Sequence, residues 1–189
     1  EVHIVSIDNE CKELLLILQK ETASTEVSIH CINSLGALNG YRIYQEYAFT
    51  QEQERTSDCP LTHEVEAYLY EPNASIMKAG AYRSLTQAYP VKKLHPSSHL
   101  YVSPHFIEDF PGRKFQVEAV SGFGKKELKT FLQGMEKANL TIRNFPSSVA
   151  ELRKRLKLKE GGDDYLFATT LADESKVLIK CKKVSSLLH

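Results

Sequence analysis

Between Arg153 and Lys159 five of seven residues are basic, in the order Arg153-Lys154-Arg155-Leu156-Lys157-Leu158-Lys159. Cations at this density are suited to neutralising phosphate oxygens along a nucleic-acid backbone, which gives affinity without choice of sequence. Lys125 and Lys126 stand at the start of a predicted helix. There a positive charge opposes the helix dipole, so the pair asks for a further reason, and phosphate contact supplies one. Arg143 lies just ahead of the basic helix. The candidate RNA-binding residues are therefore Lys125, Lys126, Arg143, Arg153, Lys154, Arg155, Lys157 and Lys159. The competing explanation is a solvated helix face, because cations near a helix C-terminus are favoured by the dipole alone.

Other chemistry is weaker. Gly122-x-Gly124-Lys125 has a phosphate-loop flavour but the wrong spacing, and reads as a turn into a helix. His95, His99 and His105, spaced H-x3-H-x5-H with Glu108 and Asp109 nearby, read as loop histidines, and no metal is assigned to them. Asp8 and Glu10 follow a strand, where α/β folds place ligands, but a helix cap and first-turn acid explain both. Phe106, Phe110, Phe115, Phe123 and Phe145 offer surfaces on which bases could stack, with core packing as the plainer use. The nucleophile-elbow, zinc-protease and Cys–His–Asn patterns do not occur, so no catalytic residue is assigned. Cys11, Cys31, Cys59 and Cys181 form no C-x-x-C pair and read as reduced thiols of a cytoplasmic protein.

These side chains need elements to hold them. Val2 to Ile7 alternate as a strand. Asp8 or Asn9 caps a predicted helix whose buried face is Cys11, Leu14, Leu15 and Leu18. A second strand over 26–33, a turn from Gly36 to Gly40 and a third strand from Tyr41 complete an α/β sheet edge, the last two strands forming a hairpin. Residues 50–64 read as a loop, Tyr68–Tyr70 as a short strand, and Ala74–Ala88 as helical. The prolines of 90–112 predict irregular structure and short strands. From 113 the order is βαβαββ. A helix carries Leu128, Phe131, Leu132 and Met135, and a capping box Ser148-x-x-Glu151 opens a helix with Val149, Leu152 and Leu156 inward. Gly161-Gly162 ends that helix.

Charge divides along the same line. The 189 residues carry 24 basic and 24 acidic side chains. Residues 1–110 hold 8 basic against 15 acidic and residues 111–189 hold 16 against 9, so a neutral total conceals halves of −7 and +7. At 42% hydrophobic residues, with no apolar run near the ~20 residues of a membrane span, the chain is an ordinary globular protein. It opens on a strand pattern without an initiator Met, which suggests a fragment of a longer protein.

Five stretches carry a family resemblance: Ile4–Leu15, Glu71–Gly80, Phe106–Arg113, Asn144–Arg155 and Tyr165–Thr170. Together they resemble the C-terminal half of a bacterial family, typical of Bacteroidetes, of class I S-adenosylmethionine-dependent methyltransferases with ferredoxin-like and THUMP-like domains. The resemblance implies an α/β (α+β) chain: residues 1–66 the end of a Rossmann-like methyltransferase core, 67–115 a ferredoxin-like segment, 116–187 a compact THUMP-like domain. It implies an RNA substrate, tRNA or rRNA. The cofactor, S-adenosylmethionine, is expected in the full-length parent and not in this chain, because no residue here matches the family's glycine-rich cofactor loop or its catalytic motif. The missing methyltransferase half is then a partner in cis, and an unpaired sheet edge could pair two copies. The rival expectation is a structural or protein-interaction module that binds no RNA.

Overall fold

The computed structural model describes residues 1–20, 26–38 and 41–184. The chain forms two compact units, one of Glu1–Cys59, Pro72–Pro90 and Asp109–Gly112, the other of Pro60–Glu71, Val91–Glu108 and the chain from Arg113 onward.

The first unit is built on a four-stranded sheet of β1 (Val2–Ile7), β2 (Glu10–Leu16), β3 (Ser28–Leu38) and β4 (Tyr41–Thr50), in the order β2-β1-β3-β4. The helix expected after Asp8 is instead the strand β2, antiparallel to β1. The cause is local. Asp8 and Asn9 have φ of 50° and 64°, and two consecutive left-handed residues make the tight turn whose twist matches a β-hairpin. The Asn9 amide donates to Asn33 Oδ1 at 3.1 Å, its side-chain carbonyl accepts from the Ala74 amide at 2.7 Å, and the Asp8 amide donates to the Ser34 carbonyl at 2.9 Å. An unbroken run from Leu14 to Leu18 satisfies any period, so the i, i+3, i+4 match carried no helix information. Every residue of β2 is exposed, so the buried apolar face is also overturned.

β1 pairs in parallel with β3, in register His3↔His30 and Ile4↔Cys31, and β3 and β4 form the expected antiparallel hairpin. Its expected turn ends at Asn39 and Gly40, outside the described residues. One face of the sheet buries Ile4, Ser6, Ile29, Cys31 and Asn33. Against β1 and β3 lies α2 (Ala74–Ala79). Burial pushes the Cys31 thiol up to about 12.

Part of the expected 50–64 loop is the short helix α1 (Gln51–Thr56), opened by a reciprocal capping box between Thr50 and Gln53. The expected helix over 74–88 is interrupted: α2 ends where Gly80 turns left-handed (φ 77°), and α3 covers only Leu85–Ala88. The Glu54 carboxylate accepts from the amides of Tyr82, Arg83 and Ser84 at 2.7–2.9 Å, fixing the segment between the two helices.

The second unit is a seven-stranded sheet in the order β6-β7-β5-β8-β11-β10-β9. Its members are β5 (Tyr68–Pro72), β6 (Lys92–Lys93), β7 (Tyr101–Ser103), β8 (Gly112–Ser121), β9 (Asn139–Arg143), β10 (Asp164–Thr170) and β11 (Lys176–Lys183). With α4 (Lys125–Phe131) and α5 (Val149–Leu156), the chain from Gly112 has the expected βαβαββ order. α4 and α5 cover one face of the sheet. There Leu152 and Leu156 pack with Leu140, Leu166, Ala168 and Leu178, joined by Leu128, Phe131, Leu132 and Met135. The opposite face buries Phe115, Phe167, Val177, Ile179 and Cys181 against Leu69, Leu94, Leu100 and Val102. The β6-β7-β5 side of the sheet thus closes over the face of β10 and β11.

Two expectations for α5 are corrected. Val149 is 40% exposed rather than inward, and the helix ends at Lys157, whose φ of 56° turns the chain before Gly161 and Gly162. The capping box forms as expected, and its amide and hydroxyl bonds hold the Glu151 carboxyl below its usual range.

Candidate nucleic-acid interface

α5 presents the basic run by simple periodicity. Leu152 and Leu156 are buried one turn apart, and Arg153, Lys154 and Arg155 fall between them in the last turn. Beyond the left-handed Lys157 the backbone extends, so Leu158 goes in while Lys157 and Lys159 stay out.

The eight predicted residues fall into two groups. Lys125, Lys126, Lys154, Arg155, Lys157 and Lys159 are exposed. Among the described residues none of these six forms an ion pair with a carboxylate, whereas other surface cations of the unit, Lys92, Lys180 and Lys182, do. Arg155 lies with its guanidinium 5.3 Å from the centre of the Phe123 ring, and Phe123 packs on Phe145 at 4.9 Å. This ties the end of α5 to the turn that leads into α4. Arg153 is half-buried and donates to the Ala138 carbonyl at 3.2 Å.

Arg143 has a different occupation. It donates from Nε and Nη2 to Oε1 of Glu71, at 2.9 and 2.7 Å. Arg113 donates through the same two nitrogens to Oε2 of Glu71, with Nε at 2.6 Å. Glu71 is thus a buried carboxylate held by two forked guanidinium groups. No local pattern announces this clip, since Glu71 lies 42 and 72 residues from its partners.

Gly122 and Gly124 sit under the Glu127 carboxylate. A Cβ at Gly122 would stand 2.6 Å from Glu127 Oε2, so an acid already fills the space above this turn and the turn interpretation stands. The aromatic candidates divide: Phe110 and Phe115 are fully buried, and Phe106 packs beside Tyr68 at 5.5 Å.

The three loop histidines are not brought together as ligands. His95 accepts at Nδ1 from the Ser97 amide at 3.0 Å, which puts its proton on Nε2, 3.2 Å from Glu174. His99, in a left-handed conformation (φ 54°), is half-buried. Burial first, then Lys93 and Arg143, lower its pKa to about 4. The His105 carbonyl accepts from the Tyr70 hydroxyl at 3.1 Å. Asp8 is a turn residue, and Glu10 pairs with Lys12 at 2.7 Å.

Two family models match the chain. Residues 68–111 match the family model of a ferredoxin-like domain, and residues 112–183 match that of a THUMP domain-like family. Beyond those, the chain is similar to the crystal structure of a "putative methyltransferase" from Porphyromonas gingivalis W83, with a TM-score of 0.86 and 38% identity over 98% of this chain. The match spans 46% of that protein's chain, less than half its length. No curated protein matches the chain.

Among the described residues no helix is long and apolar enough to cross a membrane.

Proposed function

We propose that this chain is the RNA-handling part of a cytoplasmic RNA methyltransferase. In this reading the THUMP-like portion grips the phosphate backbone of tRNA or rRNA, and the S-adenosylmethionine site and methyl transfer belong to a catalytic region in cis outside this chain. The observation that carries it is the end of α5: Lys154, Arg155, Lys157 and Lys159 are exposed without a carboxylate partner among the described residues. Solvent-facing cations left unpaired on one surface form an electrostatic footprint for a polyanion. Arg155, over the ring of Phe123, lies beside the turn that leads into Lys125 and Lys126. Arg153 and Arg143, already bonded within the protein, order the elements that carry the surface.

The contacts are to phosphate, so affinity should fall steeply with salt. Binding of tRNA by the chain, titrated from low to moderate salt, should show a negative slope of log K on log salt. Reversal of Lys154, Arg155 and Lys157 to Glu should remove most of the affinity and flatten the slope. Absence of binding at low salt, or binding that the triple reversal leaves unchanged, favours the protein-interaction reading instead. The bonds of Arg143 and Arg153 within the protein are the observation on that side.

A further inference from the structure

The sheet of the first unit carries a second constellation on the face turned away from its core. In the parallel register of β1 and β3, His3 lies level with His30, and each has a polar neighbour two residues earlier on the same face, Glu1 beside His3 and Ser28 beside His30. Alternation along each strand therefore builds a two-by-two patch of Glu1, His3, Ser28 and His30, while Ile4 and Cys31 point to the opposite, buried face. The imidazoles stack at 4.6 Å between centroids with planes 11° apart.

The donor atoms converge. Glu1 Oε2 is 3.2 Å from His3 Nε2, and Ser28 Oγ is 2.9 Å from His30 Nε2. One ligating atom each from Glu1, His3 and His30 lies within 4.8 Å of the others. Ligands on a common cation, each about 2.0–2.2 Å from zinc, stand roughly 3–3.5 Å apart, so small side-chain rotations suffice. Two neutral imidazole nitrogens and one carboxylate are a donor set suited to zinc, with a fourth position left for water. His3 and His30 also line a hollow of about 290 Å³, shared with Ile32, Glu46 and Ala48, that gives such a position access to solvent.

We propose that Glu1, His3 and His30 form a zinc-binding site that staples β1 to β3. It is independent of the RNA-binding reading, because every residue in it belongs to the first unit.

The test is a titration of the chain with Zn²⁺ by calorimetry, with the ring nitrogens followed by nitrogen-15 NMR. The chain is also prepared with extra residues ahead of Glu1, because a free amine two residues before a histidine is itself a chelator. The expected result is one equivalent bound in both forms, with one ring-nitrogen resonance of each of His3 and His30 moving to a ligated position. His30→Gln should abolish saturable binding. Circular dichroism verifies the fold of each variant, and the wild-type ring shifts stand whether or not a variant folds. The site is overturned by absence of saturable binding, by binding that survives joint replacement of His3 and His30 with Gln, by unmoved ring nitrogens, or by binding lost when the amine is blocked by extension.

Discussion

Arg143 donates two hydrogen bonds, at 2.9 and 2.7 Å, to Oε1 of Glu71, a carboxylate whose side chain is 2% exposed. In the sheet, β5, which carries Glu71, and β9, which ends in Arg143, are separated by β8, β11 and β10. The bond exists because the sheet coils until its β5 side faces β10 and β11. Glu71→Ala takes the acceptor from Arg113 and Arg143, whose side chains are 32% and 36% exposed and keep access to water, so it should destabilise by about 1.5–3 kcal/mol in urea unfolding, the worth of hydrogen bonds to a charged group. Arg143→Ala should cost less, since Arg113 still neutralises Glu71. Equal losses for the two, or a loss near zero for Glu71→Ala, would contradict the clip.

The β1–β2 turn gives a test of the hairpin. Asp8 has φ 50°, a conformation that costs a residue with a Cβ about 1–2 kcal/mol and glycine almost nothing. Asp8→Gly should leave stability unchanged or slightly raised, while Asp8→Val should lower it by about 1–2 kcal/mol. A helix starting here would reverse the order, because glycine weakens a helix.

His99 sets a pH dependence. Its folded-state pKa, about 4, lies below the ordinary 6.5, so the native protein holds the ring neutral. The unfolded chain takes up the proton first as pH falls, so stability is full above about 6.5 and declines toward pH 4. Histidine NMR should show His99 titrating near 4, and His99→Gln should flatten the stability profile across that window. A midpoint for His99 near 6.5 would refute the burial argument.

β2 is an edge strand, and Leu14, Leu16 and Leu18 are 63%, 66% and 93% exposed. An apolar edge with unpaired backbone groups is a template for another strand. Sedimentation should show concentration-dependent association of the chain, reduced by Leu14→Lys with Leu16→Lys at unchanged melting temperature. A wild-type chain that stays monomeric at high concentration would exclude pairing through this edge.

Legibility differed between the two units for physical reasons. From Gly112 onward local signals agreed with one another: the Ser148–Glu151 box, the Leu152/Leu156 spacing and the continuous apolar run Tyr165–Ala168 all specified the elements that form. Near the N-terminus they conflicted. Asp8-Asn9 suits a helix cap and a hairpin turn equally, and only φ decides. The Thr50-x-x-Gln53 box that opens α1 was legible but lay in a stretch too polar to look structured. For the candidate interface, the basic residues were evident from their density, but density does not tell which of them are free. The bonds of Arg143 to Glu71 and of Arg153 to Ala138 span 72 and 15 residues and depend on tertiary packing.

The large sheet limits how the chain could be divided. The family matches meet between residues 111 and 112, at the first residue of β8, and β8 lies between β5 and β11 in one continuous sheet. Leu69, Leu94, Leu100 and Val102 from one match share a core with Phe115, Phe167, Val177 and Ile179 from the other. A cut at that junction would bare both halves of this core to water. The two domains are distinct as families and inseparable in folding, so the THUMP-like portion is not a module that can be transplanted alone.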